Sequence, residues 1–188
     1  MSLRQVTRQF EEANDRLQKF SYLDSLTAIA NRRRFDEFLA EEWRRSARSG
    51  TPLSLIIMDI DNFKRYNDSY GHSAGDGALR QVARALAAGV HRAEDLVARY
   101  GGEEFAVILP GVAHEGAMVV AERLRTAISD LRLFHGHAPG RILTVSVGVT
   151  TAQPMWNSTS SQALRMADEA PYEAKRSGRN CVRVSPES

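Results

Sequence analysis

Leu96-Val-Ala-Arg-Tyr-Gly-Gly-Glu-Glu-Phe-Ala-Val-Ile-Leu109 is the stretch whose reading decides the fold. Residues 96–100 and 105–109 are short runs rich in apolar and aromatic side chains, and Gly101-Gly102 stands between them. A glycine pair between two such runs predicts a hairpin, because a tight two-residue turn needs positive φ. Two antiparallel strands follow, with Glu103 and Glu104 at the turn. Glycines there also let another molecule approach the backbone closely.

Upstream, Leu53-Ser-Leu-Ile-Ile-Met58 is an apolar run after Gly50-Thr51-Pro52, which reads as a buried strand ending in Asp59-Ile60-Asp61. Helical spacing appears over residues 31–48 through Phe35, Phe38, Leu39 and Trp43. It appears again, after a polar stretch at 62–73, through Ala78, Leu79, Val82 and Leu86. Downstream, residues 115–129 repeat that period, 143–151 alternate as a strand, and 160–176 look helical despite Pro171. Residues 181–184 suit a last edge strand. The order predicts a mixed α/β (α+β) domain. At the front, Leu3, Val6, Phe10, Ala13, Leu17 and Phe20 alternate spacings of 3 and 4. That pattern suits either a coiled-coil seam or a plain amphipathic helix. It divides the chain into a helical segment at 1–22 and one domain at 23–188.

Bulk properties exclude several classes. The 188 residues make one domain with a short extension. No apolar run approaches the roughly 20 residues of a membrane span. Residues 1–20 lack the apolar block of a signal peptide. The single cysteine, Cys181, excludes an intrachain disulfide and a cysteine-rich metal site. A formal net charge of +2 gives no case for nucleic acid. The cytoplasm is the expected compartment, with membrane anchoring left to any segment outside this sequence. Arginine supplies nearly all the positive charge; the lysines are Lys19, Lys64 and Lys175.

Asp59 at a strand end and Glu103 and Glu104 on a hairpin turn form an acidic constellation. Carboxylates so placed converge on hard cations, and magnesium favours oxygen ligands with substrate phosphates completing its shell. A solvated acidic turn is the plainer alternative.

The motifs taken together resemble the GGDEF family of diguanylate cyclases. They are Arg99-Tyr-Gly-Gly-Glu-Glu-Phe105, Asp24-Ser-Leu-Thr27 with Asn31-Arg-Arg33, and Asp59-Ile-Asp-Asn-Phe-Lys64 with Asn67-Asp68. Gly71-His72-Ser-Ala-Gly75-Asp76 and Ala174-Lys-Arg-Ser-Gly-Arg-Asn180 complete the set, which covers about residues 23–184. The resemblance implies a mostly antiparallel central sheet wrapped by helices, similar to the palm of nucleotidyl cyclases and polymerases. It implies condensation of two GTP into cyclic di-GMP and two pyrophosphates, with two Mg2+ (or Mn2+) per site. By this resemblance Asp59, the Ile60 carbonyl, Glu103 and Glu104 hold metal. Glu103 is also the base toward the ribose 3′-hydroxyl, a metal hydroxide being the other candidate acceptor. Asn67 and Asp76 hold guanine, His72 touches the substrate, and Gly101 and Gly102 let the nucleotide approach the turn. Lys64, Lys175 and Arg179 bind phosphate, and Lys64 is also catalytic, stabilising charge at the reacting phosphorus. Physics agrees for Asp76: a carboxylate accepts from guanine N1–H and N2–H side by side, and adenine offers no such pair. The bland reading of Asp76 is an acid at a helix N-terminus. Asp61 reads as a loop cap and stays outside the site. Pro171 stands where the family has an apolar helical residue, which puts the aim of Lys175 and Arg179 in question.

Arg92-Ala-Glu-Asp95, with five residues between it and Gly101, resembles the family's RxxD inhibitory motif, and Arg123 matches a further arginine for the same ligand. The resemblance implies product inhibition there. It also implies activity as a homodimer of domains, because each 3′-hydroxyl attacks the other nucleotide, and an upstream sensor domain not present in this chain. A catalytically silent GTP or cyclic di-GMP receptor is the alternative; the retained acids argue against it. An adenylyl-type cyclase is disfavoured by Asp76.

Overall fold

The structure is a computed structural model and describes residues 22–184. The heptad positions from Leu3 to Phe20, and with them the helical segment expected up to residue 22, lie outside the described residues but for Tyr22. Five strands form one sheet: β1 (Leu53–Ile60), β2 (Leu96–Arg99), β3 (Glu104–Pro110), β4 (Val145–Ala152) and β5 (Val182–Val184). Their spatial order is β2-β3-β1-β4-β5. All pairings are antiparallel except β4 with β5, which is parallel. The helices are α1 (Arg32–Ser49), α2 (Phe63–Tyr70), α3 (His72–Gly89), α4 (His114–Asp130) and α5 (Ser160–Arg176).

β1 is the central strand because it is apolar on both faces; every one of its residues is buried. Its side chains alternate between two cores. Ile56, Met58 and Ile60 join Val82, Leu86, Phe105, Leu124 and Val147 on the α3–α4 side. Leu53, Leu55 and Ile57 join Phe35, Leu39, Trp43 and Ile108 on the α1 side. Phe105, fully buried, alone contributes about 2–3 kcal/mol of apolar burial. Local signals set the helix ends. Asn31 Oδ1 accepts from the Arg34 amide at 3.0 Å, and Gly50 closes α1 at φ 65°. α5 runs through Pro171 to Arg176 without a break, so the proline does not redirect Lys175. No helix of the described residues is long and apolar enough to cross a membrane.

The glycine hairpin differs from expectation. Arg99 pairs with Phe105 and β3 begins at Glu104, so the connection spans residues 100–103. Neither Gly101 nor Gly102 adopts positive φ. Contacts ask nothing of Gly102, and of Gly101 only that the Glu104 side chain would have to shift. A Cβ on Gly101 would stand 2.5 Å from Glu104 Oε2, and one on Gly102 would point into open space. Arg99 holds the turn from below. Its guanidinium donates to the Gly102 carbonyl at 2.7 Å and pairs with Asp24 at 3.2 Å. Asp24 is itself fixed by the Thr27 amide at 2.9 Å and the Thr27 hydroxyl at 2.6 Å.

Candidate active site

The site lies where β1 ends. Asp59 belongs to the last turn of that strand's pleat, paired with Glu104 on β3 and Ser146 on β4. The Ile60 amide donates to the Glu103 carbonyl at 3.2 Å, which draws the β2–β3 turn over the strand end. Lys175, one residue from the end of α5, places Nζ 2.8 Å from Asp59 Oδ2. The other oxygen, Asp59 Oδ1, is buried with no hydrogen-bond partner. Burial raises the Asp59 pKa above the usual carboxylate range; Lys175 opposes this and the Asp61 charge adds to it. Glu103 is raised too, first by burial and then by the charge of Asp59, with Glu104 adding and Lys175 opposing.

This donor set fits a divalent cation. A buried carboxylate oxygen stands unsatisfied beside further acids, and one lysine opposes them. Among the described residues no three acidic, histidine or cysteine side chains already converge as a closed cage. Magnesium held by one or two of these carboxylates would take the rest of its shell from phosphates and water.

The guanine residues of the sequence reading meet at the α2–α3 corner. Asn67 on α2 has a buried Oδ1 with no partner. A Cβ on Gly75 would fall 1.8 Å from that atom, so any other residue there would displace the Asn67 carboxamide. Asp76 lies at the fifth position of α3, past the first turn, so the helix-terminus explanation does not fit it. Half-buried, it makes no ion pair or side-chain hydrogen bond among the described residues. His72 opens α3 and is exposed.

Lys64 and Arg179 are exposed and have no ion pair among the described residues. Both sit near the end of β1: Lys64 in the first turn of α2, and Arg179 in the turn that follows α5. Two residues that sequence reasoning left out also work here. Asp61 is 1% exposed and accepts from Thr144, Ser146 and Asn180. Asp24 orients Arg99 under the turn. Their partners are far along the chain, and no local spacing reveals them.

A second cluster stands apart. Arg92 spends its guanidinium on Glu94 at 2.6 Å and the Pro110 carbonyl at 3.1 Å, and reaches Asp95 at 3.6 Å. The Asp95 side chain is 4% exposed, and its Oδ1 has no hydrogen-bond partner. Burial raises its pKa, against the charges of Arg92 and Arg123. Arg123 donates from Nε to the Gly89 carbonyl at 3.0 Å. The fold thus brings Arg92, Asp95 and Arg123 together.

Comparison with known proteins adds an independent line. A family model described as "Diguanylate cyclase, GGDEF domain" matches residues 21–181. The response regulator PleD of Caulobacter vibrioides is 42% identical over 160 residues, 85% of this chain and 35% of PleD. The chain thus spans about a third of that relative. The GGDEF domain of DgcB from Caulobacter crescentus, solved in complex with c-di-GMP, superposes with a TM-score of 0.80 at 34% identity, covering 88% of this chain and 94% of that one. The active GGEEF domain of a diguanylate cyclase from Vibrio cholerae gives a TM-score of 0.76 at 31% identity, covering 85% and 99%.

Proposed function

The chain belongs to the diguanylate cyclase GGDEF-domain family, and from that membership we propose that it condenses two GTP molecules into cyclic di-GMP and two pyrophosphates. The observation that carries this reading is the unsatisfied Asp59 Oδ1 beside Glu103 at the mouth of an open site. Asp59, the Ile60 carbonyl, Glu103 and Glu104 would hold magnesium or manganese, two ions per site. When bound, such ions neutralise and polarise the phosphates.

The chain's own residues do the rest. Asp76 and Asn67 grip the guanine edge, with His72 at the rim of the same corner, and the first of these selects GTP over ATP. Lys64, Lys175 and Arg179 bind the triphosphate, while Gly101 and Gly102 leave room for it against the turn. Each 3′-oxygen forms a bond to the other nucleotide's α-phosphorus as the bond from that phosphorus to pyrophosphate breaks. The hydroxyl proton passes to Glu103, whose proton affinity is raised by burial and by Asp59. Pyrophosphate is the leaving group. One domain holds one GTP, so two domains must face each other with their half-sites apposed.

Cyclic di-GMP also binds at Arg92, Asp95 and Arg123 and holds the half-sites apart. Arginine matches phosphate and the guanine Hoogsteen edge, and Asp95 accepts from guanine N–H groups. A sensor domain upstream sets the pairing, and the GTP pool makes the cytoplasm the place of work. Incubation with GTP and magnesium, followed by chromatographic identification of the product, tests the reading. Linear dinucleotide, or no turnover at any protein concentration, overturns it.

A further inference from the structure

The turn after α5 has an unusual backbone. Gly178, Arg179 and Asn180 follow one another at φ 111°, 66° and 46°. Asparagine tolerates left-handed geometry, but for Arg179 it costs roughly 1 kcal/mol or more. Surrounding structure must impose it. The Arg179 amide donates back to Ala174 at 3.1 Å, and Val147 of β4 donates to the Cys181 carbonyl at 3.0 Å. Asn180 between them is gripped from two sides. Its Oδ1 accepts from Arg125 at 2.8 Å and from Ser129 at 3.3 Å, both on α4. Its backbone amide donates to Asp61 Oδ2 at 3.1 Å.

Asp61 is the fixed end of that grip. Its carboxylate is buried and has no cationic partner among the described residues. A buried charge without a counter-ion is expensive unless hydrogen bonds satisfy it. Three donors do so: the Thr144 hydroxyl at 2.7 Å, the Ser146 hydroxyl at 2.6 Å and the Asn180 amide at 3.1 Å. The Asp61 amide also donates to the Thr144 carbonyl at 2.9 Å. One side chain therefore ties the ends of β1 and β4 to the turn whose middle residue, Arg179, projects its guanidinium without a described partner.

We propose that Asp61 is a positioning residue: through Asn180 it fixes the turn that aims Arg179 at the nucleotide triphosphate. The inference rests on the reading of Arg179 as a phosphate-binding residue. It makes the hydrogen-bond geometry of Asp61, rather than its charge, the working feature. Asparagine at this position keeps that geometry. Its Oδ1 can accept from Thr144 and the Asn180 amide while its Nδ2 donates to the Ser146 hydroxyl, which serves as donor or acceptor. Alanine keeps none of it.

The experiment compares the affinities of a non-hydrolysable GTP analogue and of GMP for the whole chain with magnesium. It uses wild type, Arg179→Ala, Asp61→Ala, Asp61→Asn and the Asp61→Ala/Arg179→Ala double variant. Loss of one charge-assisted contact weakens the analogue about tenfold. That loss is expected in Arg179→Ala and in Asp61→Ala, with no further loss in the double variant and GMP affinity retained. Asp61→Asn is expected within about threefold of wild type. Multiplicative losses near a hundredfold in the double variant, or an equal loss of GMP affinity in Asp61→Ala, overturn the proposal. Undiminished analogue binding by Arg179→Ala instead removes the phosphate role on which it rests. Asn180→Ala keeps the backbone amide that donates to Asp61 and instead releases the same turn from Arg125 and Ser129. If Asp61→Ala does not fold, Thr144→Val/Ser146→Ala, which strips two of the three donors that hold the Asp61 carboxylate, takes its place in the cycle and is judged by the same outcomes.

Discussion

Asp59 and Asp95 make an instructive pair. Each is a buried aspartate with one oxygen that finds no hydrogen-bond partner, and burial raises the pKa of both. Their surroundings differ in sign. Around Asp59 stand Glu103, Asp61 and Glu104 against one lysine, which reaches it from α5 at 2.8 Å. Around Asp95 stand Arg92 and Arg123, with Glu94 as the other acid. An unsatisfied carboxylate oxygen alone does not tell what it awaits. An excess of acid calls for a cation, whereas an aspartate set between arginines suits an anion that also carries N–H donors.

The harshest way to break the comparison is at the acidic end. Glu103→Ala is expected to lower cyclic di-GMP formation at least a hundredfold, the usual scale for a base in the reacting centre. Thermal stability should not fall, because the lost carboxylate is raised by burial and by Asp59 and Glu104 rather than stabilised by them. Product chromatography and a melting curve on the same sample read both. Persistent turnover would make the acidic cluster a surface feature.

Next in size is the base-recognition corner. Asp76→Ala should weaken GTP by about 1–3 kcal/mol, roughly 5- to 150-fold, and reduce the preference over ATP. Asp76 has no described protein partner to lose, so the effect should appear in nucleotide affinity and not in folding. Competition titration with GTP and ATP decides it.

Residues that work by chemical type were legible in the sequence; residues that work by position were not. The strand 53–58, the helix at 115–129 and the acids at 59, 103 and 104 follow from period and motif, and the structure gathers those acids at one end of β1. The Gly101-Gly102 pair was legible as a turn, but positive φ is not its cause, since neither glycine adopts it. Positive φ went instead to Asn62, Arg179 and Asn180, where tertiary contacts enforce it. Asp61 reads as a loop cap because its side-chain partners lie 83, 85 and 119 residues away. Gly75 carries no local sign that its missing Cβ makes room for Asn67. Pro171 put the aim of Lys175 and Arg179 in question, yet α5 continues through it as the helical spacing predicts.

The basic cluster is tested more gently. Arg92→Ala should abolish inhibition by added cyclic di-GMP, or shift its half-inhibitory concentration at least tenfold. In wild type, raising GTP should leave the inhibition in place, because the two clusters are separate sites. Initial rates over a grid of GTP and cyclic di-GMP give both answers. Inhibition that is equal in the two proteins, or that GTP competes away, would leave Arg92–Asp95 as an ordinary surface pair.

The smallest expected effect sharpens the comparison through stability. Asp95 holds its pKa above the unfolded value because burial outweighs Arg92 and Arg123. A raised carboxyl contributes stability that is full below the unfolded carboxylate pKa and is lost as pH rises through the folded one. At neutral pH ionised Asp95 is therefore a small liability, since Arg92 gives its closer contact to Glu94, at 2.6 Å against 3.6 Å. Asp95→Asn keeps the shape and removes the charge. It should raise Tm by about 1–2 °C at pH 7, the scale of a half-kilocalorie change in a chain of this size. The gain should shrink toward zero below about pH 3, where the wild-type carboxyl is protonated in both states. Cyclic di-GMP should reverse the ranking at pH 7, stabilising wild type more than Asp95→Asn, because the charged acceptor then has N–H donors to meet. Melting curves at the two pH values, with and without the dinucleotide, distinguish the outcomes. A variant less stable than wild type in the absence of ligand would show that Arg92 and Arg123 already satisfy Asp95, and that the basic cluster is a structural ion pair.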